Sequence, residues 1–424
     1  MKKTPAYVRS PFCQAFLLAV GMFFFCAVSF LTAQSESSDG EERITAISIS
    51  GLKRTRLSTA ERPLHKFIGL KAVEIEPDEV QAAILTTGVL EPISVEIEGQ
   101  TLAVTVREKW AIFPVPVFMV SSAGIMAGAA YFDANAFGLA DKFFLAGMYQ
   151  TNAWSVSSGY IHGSPGGHIP GWNVMGGYSR GEQYDRDQNN NDLRRFDFDT
   201  ISFGAGLNIP LLKDSDLLNA STQFSFISTS LRNTEEAFNG PDRGLHAFGA
   251  GEELSIRKNR WDGYFLSQRA ASLRYSGRFP LDGSPSQSIR FQGAWEQSLI
   301  PGFRLNTRGG FLFDPNAPIV AESPPFVAQV AILPRDFSAR NYAGASLGLE
   351  KSIYKFSFGT LSVSAAYQLV FSQGSILGTS FDHGCVGMIT FYLNRLAIPA
   401  LGAGVAYNVS KNYLQGSFAL GISF

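Results

Sequence analysis

The stretch "LSVSAAYQLVF" (residues 361–371) alternates, residue by residue, between an apolar row and a row of small or polar side chains. A two-residue period predicts a β-strand with one apolar face and one polar face. The same rhythm returns in residues 289–296, 303–313 and 401–409, and in the final stretch "GSFALGISF" (416–424). The chain is therefore expected to consist largely of two-faced strands.

The composition of the two faces separates a membrane barrel from a soluble β-sandwich. A sandwich would carry Lys and Glu on its polar face, whereas these strands carry Arg, Gln, Ser and Gly there, opposite recurrent aromatic residues. The chain has 42 Gly and 35 Phe, yet its mean hydropathy is only +0.05. After residue 33 no apolar run approaches the roughly 20 residues of a spanning helix. We therefore expect an all-β transmembrane barrel.

The strand count follows from the repeats of the alternating pattern. About fifteen candidate strands lie between Ser122 and Phe424, within a barrel domain expected over residues 120–424. Bacterial barrels have even numbers of antiparallel strands, so we expect about 16, with the missing strand between Phe311 and Phe337. The polar tracts 181–192 and 233–244 are expected to be extracellular loops.

The amino-terminal segment has the features of a signal peptide over residues 1–33, with a basic start, an apolar centre and a cleavage site after Ala33. An uncleaved anchor helix and a lipoprotein site at Cys26 are the alternatives. Once the signal is removed, Cys385 is the one remaining cysteine, which excludes an internal disulfide and a Cys-based metal site. Residues 34–42 are polar and are expected to form a flexible linker.

Residues 43–110 predict a small α+β domain. "ITAISISGL" (44–52) indicates a short strand, and "STAERPLHKFIGL" (58–70) and "EPDEVQAAILTTG" (76–88) indicate two helices. "ISVEIEGQTLAVTV" (93–106) alternates on both arms of a hairpin. The expected order is β-α-α-β-β.

This front domain resembles a POTRA domain. "ISISGLKRT" (47–55) is similar to its first strand and turn, and "LAVTVREKW" (102–110) to its last strand. An unrelated α+β capping domain is the alternative. The resemblance implies a periplasmic domain, and a free strand edge in it could bind an extended client by strand addition.

A POTRA-like domain ahead of a barrel resembles the BamA/TamA superfamily, and the resemblance covers most of residues 43–424. "AGAAYFDANAFGLADKFFLAGMY" (127–149) is similar to the first hairpin of that family. The resemblance places Asn135, Phe137 and Gly138 in its turn. Asn and Gly also suit any tight turn that needs left-handed backbone.

The long segment 314–337 is rich in Pro and apolar residues, which favours a loop folded into the barrel lumen. The family carries an Arg-Gly-aromatic motif at the tip of such a loop. The resemblance assigns Arg335, Asp336 and Phe337 to the motif, with Asp336 replacing the Gly. Arg340 and Tyr342 offer a second alignment, and an ordinary loop arginine is the third interpretation.

A guanidinium in the lumen needs a carboxylate partner to lock such a loop. The region that corresponds to the family's acidic partner, "LVFSQGS" (369–375), has no acid. Asp382 and Glu350 are the candidate partners of the luminal arginine.

The first and last barrel strands are expected to share few hydrogen bonds. "AGIMAGAAYF" (123–132), taken as the first strand, is rich in Gly and Ala, and Gly416 and Gly421 interrupt the last strand. The resemblance implies that a client strand enters at this seam. Alternate apolar residues of the last strand also resemble the insertion signal of outer-membrane proteins: Phe418, Leu420, Ile422 and Phe424.

The functional expectation is an outer-membrane insertase or translocase that acts on unfolded outer-membrane or secreted clients. A net charge of −1 offers no nucleic-acid footprint, and no catalytic or metal-binding motif was found, so we expect no enzyme and no cofactor. Outer-membrane lipid, periplasmic chaperones and accessory lipoproteins are the expected partners. The alternatives are a two-partner secretion pore with a dedicated partner and a passive porin or surface barrel.

Overall fold

The computed structural model describes residues 43–424 except 122–123, 151–152, 164–169, 187–191, 213–214, 234–236, 323–331, 334–338, 375–377, 394–399 and 421–424. The predicted signal peptide and linker lie outside the described residues. Within the described part, helices long and apolar enough to cross a membrane are absent.

The front domain has the predicted β-α-α-β-β order. Its elements are β1 (Ala46–Ser50), α1 (Leu57–Glu61), α2 (Pro77–Leu85), β2 (Leu90–Glu98) and β3 (Thr101–Glu108), with a 3-10 segment (Arg62–Phe67) after α1. The sheet has the order β1-β3-β2, and β3 pairs in parallel with β1 and antiparallel with β2. The small α+β domain is thus confirmed.

Helix α2 shows how the sequence builds this domain. It begins at Pro77, whose missing N–H costs nothing in a first turn, and acidic Asp78 and Glu79 follow near the positive end of the helix dipole. Val80 and Ile84 lie on one face and are fully buried. That face packs into a core whose front-domain members include Ile44, Leu64, Phe67, Val89, Leu90, Leu102, Val104 and Val106.

The barrel is one sheet of 16 strands, each antiparallel to the next, and the predicted strand number is confirmed. The strands are β4 (Ile112–Ser121), β5 (Gly124–Ala136), β6 (Asp141–Gln150), β7 (Ala153–His162), β8 (Gly171–Arg186), β9 (Asp192–Leu212), β10 (Ser215–Arg232), β11 (Leu245–Trp261), β12 (Leu266–Pro280), β13 (Ser286–Ile300), β14 (Phe303–Phe313), β15 (Asn341–Phe356), β16 (Gly359–Gln373), β17 (Thr379–Leu393), β18 (Ala400–Asn408) and β19 (Tyr413–Leu420).

The sixteenth strand is β4, so the barrel begins at Ile112. The strand expected between Phe311 and Phe337 is absent from the described residues beyond β14, and residues 323–331 and 334–337 lie outside the description. Among the described residues of that segment, the chain beyond β14 forms one 3-10 turn (Ile319–Ala321). Strand β4 did not fit the pattern because Pro114 and Pro116 lie within it, and proline is rare inside strands that pair on both sides.

Strand β16 confirms the two faces. Val363, Tyr367 and Leu369 are exposed on the outer face, whereas Ser362 and Gln368 are buried on the lumenal face. The outer rows of the other strands are also rich in exposed aliphatic and aromatic residues, which suits a lipid-facing surface, although Glu252 of β11 lies in one of these rows.

Strands β8, β9 and β10 are much longer than a membrane crossing needs. They have 16, 21 and 18 residues, whereas about 9–11 residues span the hydrocarbon. Residues 181–186 therefore belong to β8, and the loop expected over 181–192 is wrong for that part. The tract is polar because the strands continue into water.

The two ends of the barrel are named by their distance from the front domain. The near end is where β4 follows β3, and the β5–β6 turn lies there because adjacent strands are antiparallel. The far end carries the two longest connections, residues 233–244 and 314–340. Helix α2 also lies against β11, so the front domain reaches across the near end from its attachment at the β5–β6 turn.

Candidate functional site

The front domain and the barrel share one hydrophobic core at the near end. Ala134 of β5 and Ala140 of the β5–β6 turn are buried in the cluster that contains Val106 and Ala111 of the front domain. Phe132 packs against the same cluster. Because apolar side chains of both parts are removed from water together, the junction is a packed interface.

Glu108, the last residue of β3, organises the segment after β1. Its carboxylate accepts hydrogen bonds from the backbone N–H groups of Lys53 (2.8 Å), Arg54 (2.9 Å) and Thr55 (2.6 Å). Burial by itself would raise the pKa of Glu108, but these N–H donors outweigh it and hold the pKa below its usual value of 4.5. Glu108 therefore fixes the loop that contacts the barrel.

The predicted hairpin-turn residues form the barrel side of this junction. Asn135 is buried; its side-chain amide donates to Thr55 Oγ1 (2.9 Å), and its side-chain oxygen accepts from the N–H of Ala140 (2.9 Å). Phe137 and Gly138 have φ values of 58° and 74° in the turn itself. The sequence placed all three in a turn but gave no sign that the turn contacts the front domain.

Two arginines of the front domain bind this turn. The guanidinium of Arg54 makes an ion pair with Asp133 at 2.7 Å. The backbone N–H of Arg56 donates to the carbonyl oxygen of Gly138 (2.9 Å), and its Nε donates to that of Phe137 (3.2 Å). A Cβ on Gly138 would lie 2.4 Å from the carbonyl oxygen of Arg54, so this close approach requires glycine.

Replacing Glu108→Gln is expected to loosen the junction. The amide keeps one acceptor but loses the charge, and we expect the free energy of unfolding to fall by about 1 kcal/mol. A carboxylate with a lowered folded pKa stabilises above its unfolded pKa and loses that effect as pH falls through the folded value. The difference between variant and wild type, measured by thermal unfolding in detergent, should therefore be full at pH 7 and shrink below about pH 4.5.

Glu98→Gln, at the exposed end of β2, is the matched control, and it should leave the unfolding temperature unchanged. A difference between E108Q and wild type that persists undiminished at low pH would contradict the role assigned to the charge.

The far-end connection 314–340 is folded into the lumen where the structure describes it. Ile332 and Leu333 are buried against the inner faces of β16, β17 and β18, in a cluster with Val370, Val386 and Ala406. Two lumenal side chains hold its backbone: Asn408 Nδ2 donates to the carbonyl oxygen of Ile332 (3.2 Å), and Gln415 Nε2 to that of Leu333 (3.1 Å).

The same connection is also bound to the opposite wall. The side chain of Glu322 is 2% exposed and forms ion pairs with Arg194 of β9 (3.4 Å) and with Arg340 (3.0 Å). Tyr342, the second predicted aromatic, is buried at the start of β15 in the Ile332 cluster. The described residues of this connection therefore contact β9 on one side of the lumen and β18 on the other, and we call residues 314–340 the plug loop.

The predicted motif Arg335–Asp336–Phe337 lies outside the described residues. Both candidate carboxylates have other partners. Asp382 accepts a hydrogen bond from Asn408 (2.9 Å) and pairs with Lys411 (3.2 Å), and Glu350 pairs with Arg304 (2.7 Å). The second alignment, through Arg340 and Tyr342, lies within the described residues. There Arg340 pairs with Glu322, an acid that the sequence analysis did not consider.

Arg304 is the centre of a buried polar cluster on the near half of the lumenal wall. It lies between Glu350 (2.7 Å) and Glu296 (3.0 Å), and it donates to the hydroxyl oxygen of Tyr392 (3.0 Å). The ring of Phe265 lies 4.6 Å from the guanidinium carbon. We call Arg304, Glu296, Glu350 and Tyr392 the arginine cluster; it ties β13, β14, β15 and β17 together.

Strands β4 and β19 lie side by side and close the barrel. They stand at the two ends of the hydrogen-bonded order, and among residues 112–121 and 413–420 no ladder joins them. We call this contact the seam. The sequence assigned its first strand to residues 123–132, which belong largely to β5; the seam strand is β4.

The edge that β4 presents to the seam lacks hydrogen-bond donors. The N–H of Ala134 donates to the carbonyl oxygen of Ala111 (2.8 Å), so odd-numbered residues here face β5 and even-numbered residues face β19. Pro114 and Pro116 are even-numbered and have no N–H. Two successive seam-facing donors of β4 are therefore missing.

The predicted carboxy-terminal signal is described only in part. Strand β19 includes positions 418 and 420, which pair with Ala403 and Leu401; Ile422 and Phe424 lie outside the described residues. In the described part of the chain, no group of three or more His, Cys, Asp or Glu side chains is placed to hold a metal ion.

Comparison with known proteins identifies the fold. No protein-family model and no curated protein matches the chain. CdiB from Escherichia coli superposes with a TM-score of 0.59 at 15% identity, over 89% of this chain and 76% of that chain. CdiB from Acinetobacter baumannii gives 0.55 at 14% identity, over 89% and 73%. BamA from Haemophilus ducreyi lacking POTRA domains 1–3 gives 0.49 at 13% identity, over 92% and 86%.

The chain therefore has the fold of the CdiB barrels, which is the fold that the resemblance to the BamA/TamA superfamily implied. That fold supports a location in the outer membrane.

Proposed function

We propose that the protein is an outer-membrane insertase or translocase, which assists the assembly of β-barrel proteins into the outer membrane or the passage of proteins across it. The observation that carries the proposal is the seam, where β4 and β19 meet without a ladder among the described residues. Lipid offers no hydrogen bonds to exposed strand edges. An unladdered seam is therefore a place where a client strand can compete for pairing.

The proposed orientation puts the front domain and the near end in the periplasm. Barrels of bacterial outer membranes have short periplasmic turns and longer extracellular loops, and the longest connections here, 233–244 and 314–340, are at the far end. The exposed aliphatic and aromatic rows of the barrel would then contact outer-membrane lipid.

The front domain supports the capture of an extended client. With the order β1-β3-β2, each outer strand has one edge that is unpaired within the described residues. Such an edge can add a client strand through main-chain hydrogen bonds. We propose that unfolded clients, delivered by periplasmic chaperones or accessory lipoproteins, bind here before they reach the barrel.

The proposed mechanism needs no nucleotide, metal or catalytic residue. A client strand gains hydrogen bonds and buries its apolar face as it folds in lipid, and this gain supplies the free energy. The missing donors at Pro114 and Pro116 keep the competing β4–β19 pairing weak.

A two-partner secretion pore is the second candidate. The fold that this chain shares with the CdiB barrels is compatible with such a pore. In that case the client would pass along the lumen, the plug loop would move and the seam would stay shut. A passive porin fits less well, because the described residues of the plug loop lie in the lumen and are bound to both of its walls.

Depletion of the protein tests the proposal. If it is an insertase, depletion should lower the levels of many outer-membrane barrel proteins, as measured by quantitative proteomics of outer-membrane fractions. Rescue with P114V/P116V should be weaker than rescue with wild type, because two restored N–H donors, each worth about 1 kcal/mol, strengthen the seam against the client.

Pro210→Val, at a strand proline remote from the seam, is the control and should rescue fully. Unchanged levels of barrel proteins on depletion would remove the insertase. Loss of one dedicated secreted protein, with equal rescue by P114V/P116V, would assign the secretion pore instead.

A further inference from the structure

A recess of about 180 Å³ opens on the lumenal face of β10–β13, in the far half of the barrel. Gly249 of β11 leaves its floor without a side chain, and Gly251 lies in the next cross-strand row, at the edge of the recess. Beside Gly251, a cross-strand row places Gln223 on one side and Ser276 and Ser288 on the other. The lining is therefore rich in hydrogen-bond donors.

Arg274 carries the unbalanced charge of this recess. It stands directly opposite Arg290 of β13 and Glu253 of β11 in the next cross-strand row. Its Nε lies 3.4 Å from the position of a Cβ built on Gly251, so the side chain leans over the glycine and into the recess. Among the described residues, neither Arg274 nor Arg290 takes part in an ion pair. Two guanidinium groups in direct opposition repel each other.

The other charges around the recess are balanced. Arg278 bounds its far side and donates to Ser286 Oγ (3.1 Å), and it pairs with Asp314 at 3.4 Å. Glu253 faces Arg274 and offsets only one of the two opposed arginines. One positive charge therefore remains without a counter-charge from the described side chains.

We propose that this recess binds a phosphate-type oxyanion. The guanidinium of Arg274 would supply the charge-assisted hydrogen bonds. Gln223 and one hydroxyl of the hydrogen-bonded pair Ser276–Ser288 (2.8 Å) would supply neutral donors from other directions. A phosphate group carries about −1.5 to −2 charges at pH 7, so it relieves the repulsion between Arg274 and Arg290 more than a carboxylate does. Its tetrahedral oxygens also suit donors that converge from three strands.

The phosphate can be free or can be the head group of a sugar phosphate, because both present the same oxygens. The recess lies in the far half of the lumen, and this assignment does not depend on the proposed passage of proteins. Its test measures binding alone, so it can fail while the insertase proposal stands.

Isothermal titration of the full-length protein in detergent, with sodium phosphate in a chloride buffer, tests the proposal. We expect saturable binding near one site per chain. Arg274→Gln should weaken it by about tenfold or more, the usual effect of removing a charged hydrogen-bond partner. Ser276→Ala, which removes one neutral donor without adding bulk, should weaken it by about threefold. The S276A variant still tests the proposal if R274Q fails to fold.

Arg257→Gln is the matched control. Arg257 is one of the odd-numbered residues of β11 that face the lumen, but it lies toward the near end and outside the recess. Its phosphate affinity should equal that of wild type. Competition by glucose 1-phosphate, but not by glucose, would identify a sugar phosphate as ligand, and failure to compete would assign the site to the free ion. No saturable binding by wild type, or an equal loss in R257Q, would overturn the proposal.

Discussion

Replacing residues 318–338 with a short Gly-Ser linker is expected to turn the protein into an open channel. The described residues of the plug loop are bound to both walls of the lumen: Glu322 pairs with Arg194 on one wall, and Asn408 and Gln415 donate to the backbone of Ile332 and Leu333 on the other. Barrels of 16 strands otherwise enclose an aqueous channel. Single-channel conductance in planar bilayers should rise by about tenfold or more and become steady.

The matched control is a similar replacement of residues 234–242 in the β10–β11 connection. That connection lies at the same end, but its described contact is with the strand end of β9, where Phe238 and Arg195 exchange backbone hydrogen bonds (2.8 and 2.9 Å). It should leave conductance at the wild-type level. A plug-loop variant that is folded and remains closed would show that other residues fill the lumen.

Arg304→Ala is expected to be the most destabilising single substitution in the barrel wall. Glu350 would then remain buried without a cation, whereas Glu296 would keep Arg308 (3.2 Å) as its partner. Removing one partner of a buried ion pair costs about 3–5 kcal/mol, because the other charge stays desolvated. The temperature at which heat-modifiable mobility on gels is lost should fall markedly relative to wild type.

Neutralising Glu350 separates this charge effect from lost packing. Adding Glu350→Gln to R304A should recover part of the loss, because the carboxylate that lost its cation is then uncharged, while Glu296 keeps Arg308. A double variant less stable than R304A would mean that the arginine cluster stabilises by packing instead. Arg180→Ala is the matched control, since the Arg180–Asp199 pair is an exposed one (2.8 Å) that contributes little.

The barrel could be predicted from the sequence because its information is local. Alternation in a stretch such as 361–371 fixes a strand and its two faces without any knowledge of its neighbours. The prediction from alternation failed at β4 because Pro114 and Pro116 lie within this strand. Two such prolines suit a strand at the edge of a sheet, and the position of that edge depends on the whole sheet. The two prolines are themselves the signal that could have located the seam.

The polar contacts depended on cross-strand register, which the sequence supplies only across short turns. Glu296 and Arg304 lie on two strands joined by the tight turn at 301–302, so their proximity could have been predicted from the sequence. Glu350 lies opposite Arg304 only after the plug loop, whose length leaves the register of β15 open. For that reason the sequence analysis took Glu350 as a candidate partner of the loop arginine and not of Arg304. The contacts of Asn135 and Gly138 with Thr55 and Arg56 were equally beyond reach, because they join elements some 80 residues apart.

The core that Ala134 and Ala140 complete has a consequence for how such proteins diversify. A chimera joined at residue 111 would carry a front domain without the β5–β6 hairpin that packs against it, and it would expose an apolar surface on both parts. The stretch from Arg43 to Asp141 keeps this core intact, so a new front domain would have to be exchanged together with its hairpin.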